Sequence, residues 1–232
     1  TNKEMFNKVI TSMLRGDYLE KTINQQIKDI TNGQAVFKRF SQEEHRGFLA
    51  GGEHHVAATI LAQRIRGASE EDSTEWEAQA EKAIEDYAKE NNIWVENLKR
   101  KFGEPQAIGA EAYVWFSPKN SKVTKAIGHS IQNGLDNLLD RITIHNYLFP
   151  QSNMKVVGFA KDTRGDFNVL IEQPFIKAES TTSPAVRNYM ANLGFKESDD
   201  YSLEDIVFSN SDYILQDLHL GNVLKTPKGN LI

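Results

Sequence analysis

Asp217 and Asn222 stand five residues apart in Gln216-Asp217-Leu218-His219-Leu220-Gly221-Asn222-Val223-Leu224, a polar loop between short apolar runs. A carboxylate in such a loop can accept or orient the proton of an attacking hydroxyl, and an amide oxygen can ligate a metal ion. Two side chains leaving one loop at that spacing can converge on one phosphoryl group. The competing reading is an ordinary polar turn, with both side chains bonding the backbone. Lys125 is a second chemical candidate. In Lys122-Val123-Thr124-Lys125-Ala126-Ile127 the strand period of two puts Lys125 on a face with Val123 and Ile127, and Lys122 on the other. A cation on an apolar face wants a carboxylate or a phosphate, because an unpaired charge away from water is costly. Asp136 and Asp140 lie one turn apart on the helix that follows. Asp140 is the preferred partner of Lys125, since Ile144 one turn further offers an apolar neighbour, and pairing of both acids with surface cations such as Arg141 is the alternative.

Other chemistries find no support. With no cysteine, thiolate zinc sites, disulfides and cysteine nucleophiles are excluded. Gly-x-x-x-x-Gly-Lys-Ser/Thr, Gly-x-Ser-x-Gly and His-Glu-x-x-His are all absent. His45 and Glu53-His54-His55 invite a metal reading, but adjacent histidines point to different faces of a helix, which favours solvated or capping roles. Of 232 residues, 39% are apolar and 25% charged, as expected of a globular chain rather than a disordered one. The 27 basic and 32 acidic side chains give a formal charge of −5, without the basic footprint of a nucleic-acid binder. No apolar run approaches the roughly 20 residues that span a bilayer, so a cytoplasmic protein without membrane partners is expected.

The elements that must position these residues change character near residue 105. Before it the periodicity is helical. Phe6, Val9, Ile10, Met13 and Leu14 form one stripe, Leu19 to Ile30 a second, and Val56, Ile60, Leu61 and Ile65 a third. Between Glu70 and Glu90 lie nine acids and two lysines, read as the solvated face of an amphipathic helix that Thr74 and Glu77 would open as a capping box. Ile93, Trp94 and Leu98 suggest a short further helix. Beyond it, Ala112–Phe116 and Lys122–Ile127 form a hairpin, 130–148 a helix, and Lys155–Ala160 and Phe167–Glu172 two more strands. Pro184–Leu193 is helical and is closed by Gly194, and a last hairpin turns at Pro227–Asn230. The expected class is α+β, with a helical extension over 1–101 and a mixed domain over 102–232.

From about Phe102 onward the chain resembles the serine/threonine/tyrosine-type kinase domain of polyvalent proteins in phages and conjugative elements. The residues that carry the resemblance are Ile108-Gly109-Ala110-Glu111-Ala112-Tyr113-Val114, Val123-Thr124-Lys125, His145–Pro150, Val157-Gly158-Phe159, Glu172-Gln173-Pro174-Phe175 and Asp217–Asn222, in the family's order. The Asp-Leu-His-x-Gly-Asn loop is similar to that of atypical and aminoglycoside-phosphotransferase-type kinases. The resemblance implies an N-lobe and partial C-lobe that bind ATP and Mg²⁺ and pass the γ-phosphate to a hydroxyl acceptor. Gly109, Ala110, Glu111, Ala112 and Val114 would cover the phosphates through the backbone. It also implies that Lys125 holds phosphates and is anchored by Asp140, that Glu172, Gln173 and Phe175 border adenine, that Asp217 is the base and that Asn222 holds metal. Gly229–Ile232 would enter the strand of a second metal-binding Asp, so an incomplete kinase-like portion of a larger protein with neighbouring domains is expected. A non-catalytic nucleotide- or protein-binding module is the alternative, and a helical structural protein with an incidental motif a third.

Overall fold

The computed structural model describes residues 25–30, 32, 34–35, 37–68, 75–109, 111–129, 134–198, 207–216, 218, 220 and 222–231. The helical stripe at Phe6–Leu14, Thr74, Ala110, Asp217, His219 and Gly221 lie outside the described residues. The chain divides into two compact units, one running to Phe175 and one from Ile176. The class is mixed α+β.

In the first unit, helix α1 (Glu44–Ala50), α2 (Glu53–Ala68) and α3 (Glu75–Glu90) precede strand β1 (Trp94–Val95) and a short helix α4 (Leu98–Phe102). Strands β2 (Ala107–Ile108), β3 (Ala112–Ser117) and β4 (Lys122–Gly128) follow, then helix α5 (Leu135–Leu148) and strands β5 (Lys155–Lys161) and β6 (Phe167–Pro174). The six strands form one sheet in the order β1-β5-β6-β4-β3-β2, antiparallel except for β1 beside β5. Trp94 and Val95 were expected in a helix and instead pair with Phe159 and Ala160. Aromatic and β-branched side chains favour a pleated surface, and a short apolar run has no period of its own to decide the matter. Gly158 admits this extra strand, because a Cβ there would lie 2.5 Å from the Ile93 carbonyl.

Central β6 is buried continuously from Phe167 to Ile171 because both sheet faces are covered. On one face Ile127, Val156, Val169 and Ile171 share a core with Leu135, Leu138, Leu139 and Ile142 of α5 and Val56, Ile60 and Leu61 of α2. On the other, Trp115, Ala126, Ala160 and Leu170 are packed by Leu98 and Phe102 of α4. The expected boundary at residues 101 and 102 therefore falls inside one core. Helix α1 meets α5 at Gly47, where a Cβ would lie 2.3 Å from the Thr143 carbonyl.

In the second unit, β7 (Glu179–Ser180), α6 (Ser183–Asn192), β8 (Lys196–Glu197), β9 (Phe208–Ser209), β10 (Ile214–Leu215) and β11 (Leu224–Lys225) make a three-stranded and a two-stranded sheet. Helix α6 runs where expected. Thr182 caps it by accepting from the Ala185 N–H at 3.4 Å, and Gly194 follows it with φ +84°. The expected last hairpin closes with Lys225 bridged to Leu231.

Candidate functional site

The register of the sheet places Gly109, Glu111, Ala112, Val114 and Lys125 on three neighbouring strands and their turns. Gly109 lies in the turn between β2 and β3, where its N–H donates to the Ala112 carbonyl at 2.9 Å and Ile108 stands opposite Tyr113. Glu111 is exposed in the same turn. Along β3, Ala112 faces Ile127 and Val114 stands directly opposite Lys125 on β4. Across β4, Lys125 is opposite Ile171 of β6 and Val123 is opposite Gln173. Lys125 thus projects from the α5-facing side of the sheet, between Val123 and Ile127. Lys122 takes the other face, where its ammonium donates to Glu172 Oε2 at 2.6 Å.

Lys125 is half-buried, and burial lowers its ammonium from the ordinary lysine value. Among the described residues no carboxylate pairs with it. The expected Asp140 partner is engaged elsewhere. Arg39 Nε donates to its two carboxylate oxygens at 2.9 and 3.1 Å, and that contact raises the guanidinium. Asp136 pairs with Arg66. The reason is rotational. Five residues of α-helix separate Asp140 from His145, which turns the two side chains about 140° apart. The acids do share a face, as their spacing dictates, but that face looks toward the preceding helices. His145 lies on another side of α5, and its imidazole is held below its ordinary value first by burial and also by the Lys125 charge.

At the end of β6 the main chain is largely committed. Phe175 N–H donates to the Ser121 carbonyl at 2.8 Å, and the two-residue period of the ladder directs Gln173 to β4 as well. Pro174 between them has no N–H. The Gln173 side chain donates to the Ser152 carbonyl at 2.9 Å. Phe175 is 51% exposed and meets Phe116 edge to face at 6.0 Å. In the second unit Asn222 is exposed in the turn before buried Val223.

The acidic run of α3 does more than meet water. Glu77, Glu81 and Glu85 recur every fourth residue and so share a face. Glu77 Oε1 accepts the Leu135 N–H at 3.0 Å and caps α5, Glu81 meets His129 Nε2 at 2.6 Å, and Glu85 accepts from Lys161 at 2.9 Å. Among the described residues the expected solvated face holds for Glu75, Lys82, Asp86, Lys89 and Glu90. His54 and His55 are likewise engaged within the fold. His55 is buried, with Nε2 2.8 Å from the Leu139 carbonyl and Nδ1 3.2 Å from that of Phe48. His54 Nδ1 lies 3.1 Å from the Tyr87 hydroxyl, whose pKa burial pushes up to about 12. No group of three metal-ligating side chains occurs among the described residues.

Compared with known families, residues 77–232 match the one described as serine/threonine/tyrosine kinase found in polyvalent proteins. The chain belongs to this family. No curated protein and no solved structure matches it. The match begins at Glu77, so all but the first two residues of α3, with the cap on α5, lie within the polyvalent-protein kinase segment, whereas Arg39 and Arg66 precede it. Spacing gave no signal for those two arginines, since partners 101 and 70 residues away are chosen only by packing. No described helix is long and apolar enough to cross a membrane.

Proposed function

We propose that this polyvalent-protein kinase binds ATP on the sheet face of Lys125 and transfers its γ-phosphate to a hydroxyl acceptor. The observation that carries the proposal is Lys125 itself, a half-buried cation on an apolar face with no carboxylate partner among the described residues. Such a group fits a polyanion, because phosphate oxygens would compensate a charge already partly stripped of water. In this reading Lys125 would hold phosphates, with backbone N–H groups of the 109–112 turn beside them. Val114, Val123 and the exposed pair Phe116 and Phe175 would offer an apolar surface for the base. Asp217 would accept the acceptor's proton. Magnesium is assigned no step, because Asn222 alone among the described donors would hold it and one amide does not make a metal site.

A second reading is a nucleotide-binding module without turnover, acting within a polyvalent protein of a mobile element. It is favoured by the arginine pairing of Asp136 and Asp140, which leaves Lys125 without the ion pair on which phosphoryl transfer in kinases depends. Calorimetric titration with ATP is expected to show binding to the wild type and at least about tenfold weaker binding to Lys125→Ala, the cost of one charge-assisted contact. Equal affinities would overturn the assignment of Lys125. Phosphate transfer that survives in Asp217→Ala would remove Asp217 as base, and binding without any turnover would decide for the second reading.

A further inference from the structure

His145 of α5 shares the Ser152 carbonyl with Gln173, a neighbour of Lys125 on the same sheet face, and lies near enough for the ammonium charge to lower its pKa. Its Nε2 meets the Ser152 carbonyl at 3.0 Å and Ser152 Oγ at 3.2 Å. The hydroxyl gives its own proton to the Phe149 carbonyl at 3.2 Å, so both oxygens accept from the ring and Nε2 carries the hydrogen. Nδ1 is then the basic nitrogen. The same Ser152 carbonyl also accepts from Gln173, which lies diagonally across the sheet from Lys125. One carbonyl therefore ties α5, the turn at Pro150–Ser152 and the end of β6 to the sheet face that carries the ammonium.

The charges around the imidazole are one-sided. From β4 it feels the charge of Lys125, while β6 and the Pro150–Ser152 turn offer the neutral Gln173 and Ser152. The acids of α5 pair with Arg39 and Arg66 on the opposite side of the helix. Glu43, just ahead of α1, meets the Tyr147 hydroxyl at 3.1 Å, and Glu172 pairs with Lys122 on the far face of the sheet. Among the described residues neither basic group has a carboxylate partner.

We propose that His145 is a second anion-binding residue of this site: neutral while Lys125 is unpaired, it takes a solvent proton on Nδ1 when a phosphate-bearing ligand settles on the ammonium. The assignment rests on phosphates at Lys125 and goes beyond it by making a proton part of the bound state. A bound anion cancels the repulsion from Lys125 and adds attraction of its own, and both effects favour imidazolium. Ligand affinity then rises as pH falls through the imidazole range.

The test follows the Cε1–H signals of the six histidines by proton NMR on the full chain, over pH 5 to 8. Spectra are recorded without ligand and with saturating inorganic tripolyphosphate or ATP. His145→Gln identifies the signal and keeps a donor for the Ser152 carbonyl. If that variant fails to fold, through-space contacts to the Phe149 ring, 5.5 Å away, assign it instead. The expected midpoint lies below about 6.5 without ligand and rises by about one unit with either ligand. His145→Gln is expected to weaken tripolyphosphate binding about tenfold near pH 5.5 and to leave it unchanged at pH 8, the loss of one charge-assisted contact. Ligand binding with an unmoved His145 midpoint would overturn this inference alone. No binding of either ligand to the wild type would overturn it together with the nucleotide assignment. A midpoint that still rises in Lys125→Ala would show that His145 answers an anion bound elsewhere, which also overturns it.

Discussion

His55 shows how one residue can join three elements. It projects from α2, and its two ring nitrogens face the carbonyls at the ends of Phe48 and Leu139, on α1 and α5. A neutral ring donates to only one of them, and burial keeps it neutral by lowering its pKa. The sign of the linkage follows. Below about 6.5 the unfolded chain binds a proton that folded His55 resists, so stability falls as pH drops from there toward the folded value. His54 and His145 are shifted the same way and add to the trend. Urea unfolding at pH 7.5 and 5.5 is expected to show lower stability at the acid pH. His55→Gln should flatten that difference in part while costing about 1–3 kcal/mol at pH 7.5 for the disturbed carbonyl pairing. An unchanged pH dependence in the variant would mean that His55 is not among the groups responsible. The sequence read the His54-His55 pair as solvated or capping; His55 is instead fully buried, and its Leu139 partner, 84 residues away, could not be read from spacing.

At the scale of elements, α5 is set from both ends and along one side. Glu77 caps its first turn from α3, Arg39 and Arg66 hold Asp140 and Asp136, and Gly47 lets α1 approach closely enough to bury Phe48. Two substitutions probe this positioning. Gly47→Ala would force its Cβ into the Thr143 carbonyl and the Tyr147 backbone, and about 3 kcal/mol or more of destabilisation is expected, read as a fall in the urea midpoint. Glu77→Ala removes a cap and is expected to cost about 1 kcal/mol. A neutral Gly47→Ala would show that the two helices can separate without loss. Spacing alone placed α2, α3, β3 to β6 and α6, because amphipathic period and turn chemistry are local. It misplaced Trp94 and Val95, whose strand exists only because β5 offers a parallel edge. It also counted all the acids of α3 as solvated, because one acidic side of a helix looks the same whether it faces water or a neighbour's N–H groups.

For the molecule as a whole, the family match from residue 77 and the core of the first unit do not begin at the same point. Leu135, Leu138, Leu139 and Ile142 share a core with Phe48, Val56, Ile60 and Leu61, all of which precede Glu77. A chain of residues 77–232 would leave that apolar side of α5 in water, each large side chain costing about 1.5–3 kcal/mol. It is expected to show no cooperative thermal transition by circular dichroism, whereas the full chain does. A folded, monomeric 77–232 would make the preceding helices dispensable. The sequence by itself determined the α+β class, the family, the hairpin that carries Lys125 and the face of the strand from which it projects, because each follows from a local period or a short motif. Only the tertiary structure decided what stands beside that lysine. Helix spacing put Asp136 and Asp140 on one face, but the rotation of α5 is set by distant contacts with Arg39, Arg66 and Gly47. Those contacts commit the acids to arginines and leave His145 as the α5 side chain that feels the ammonium charge.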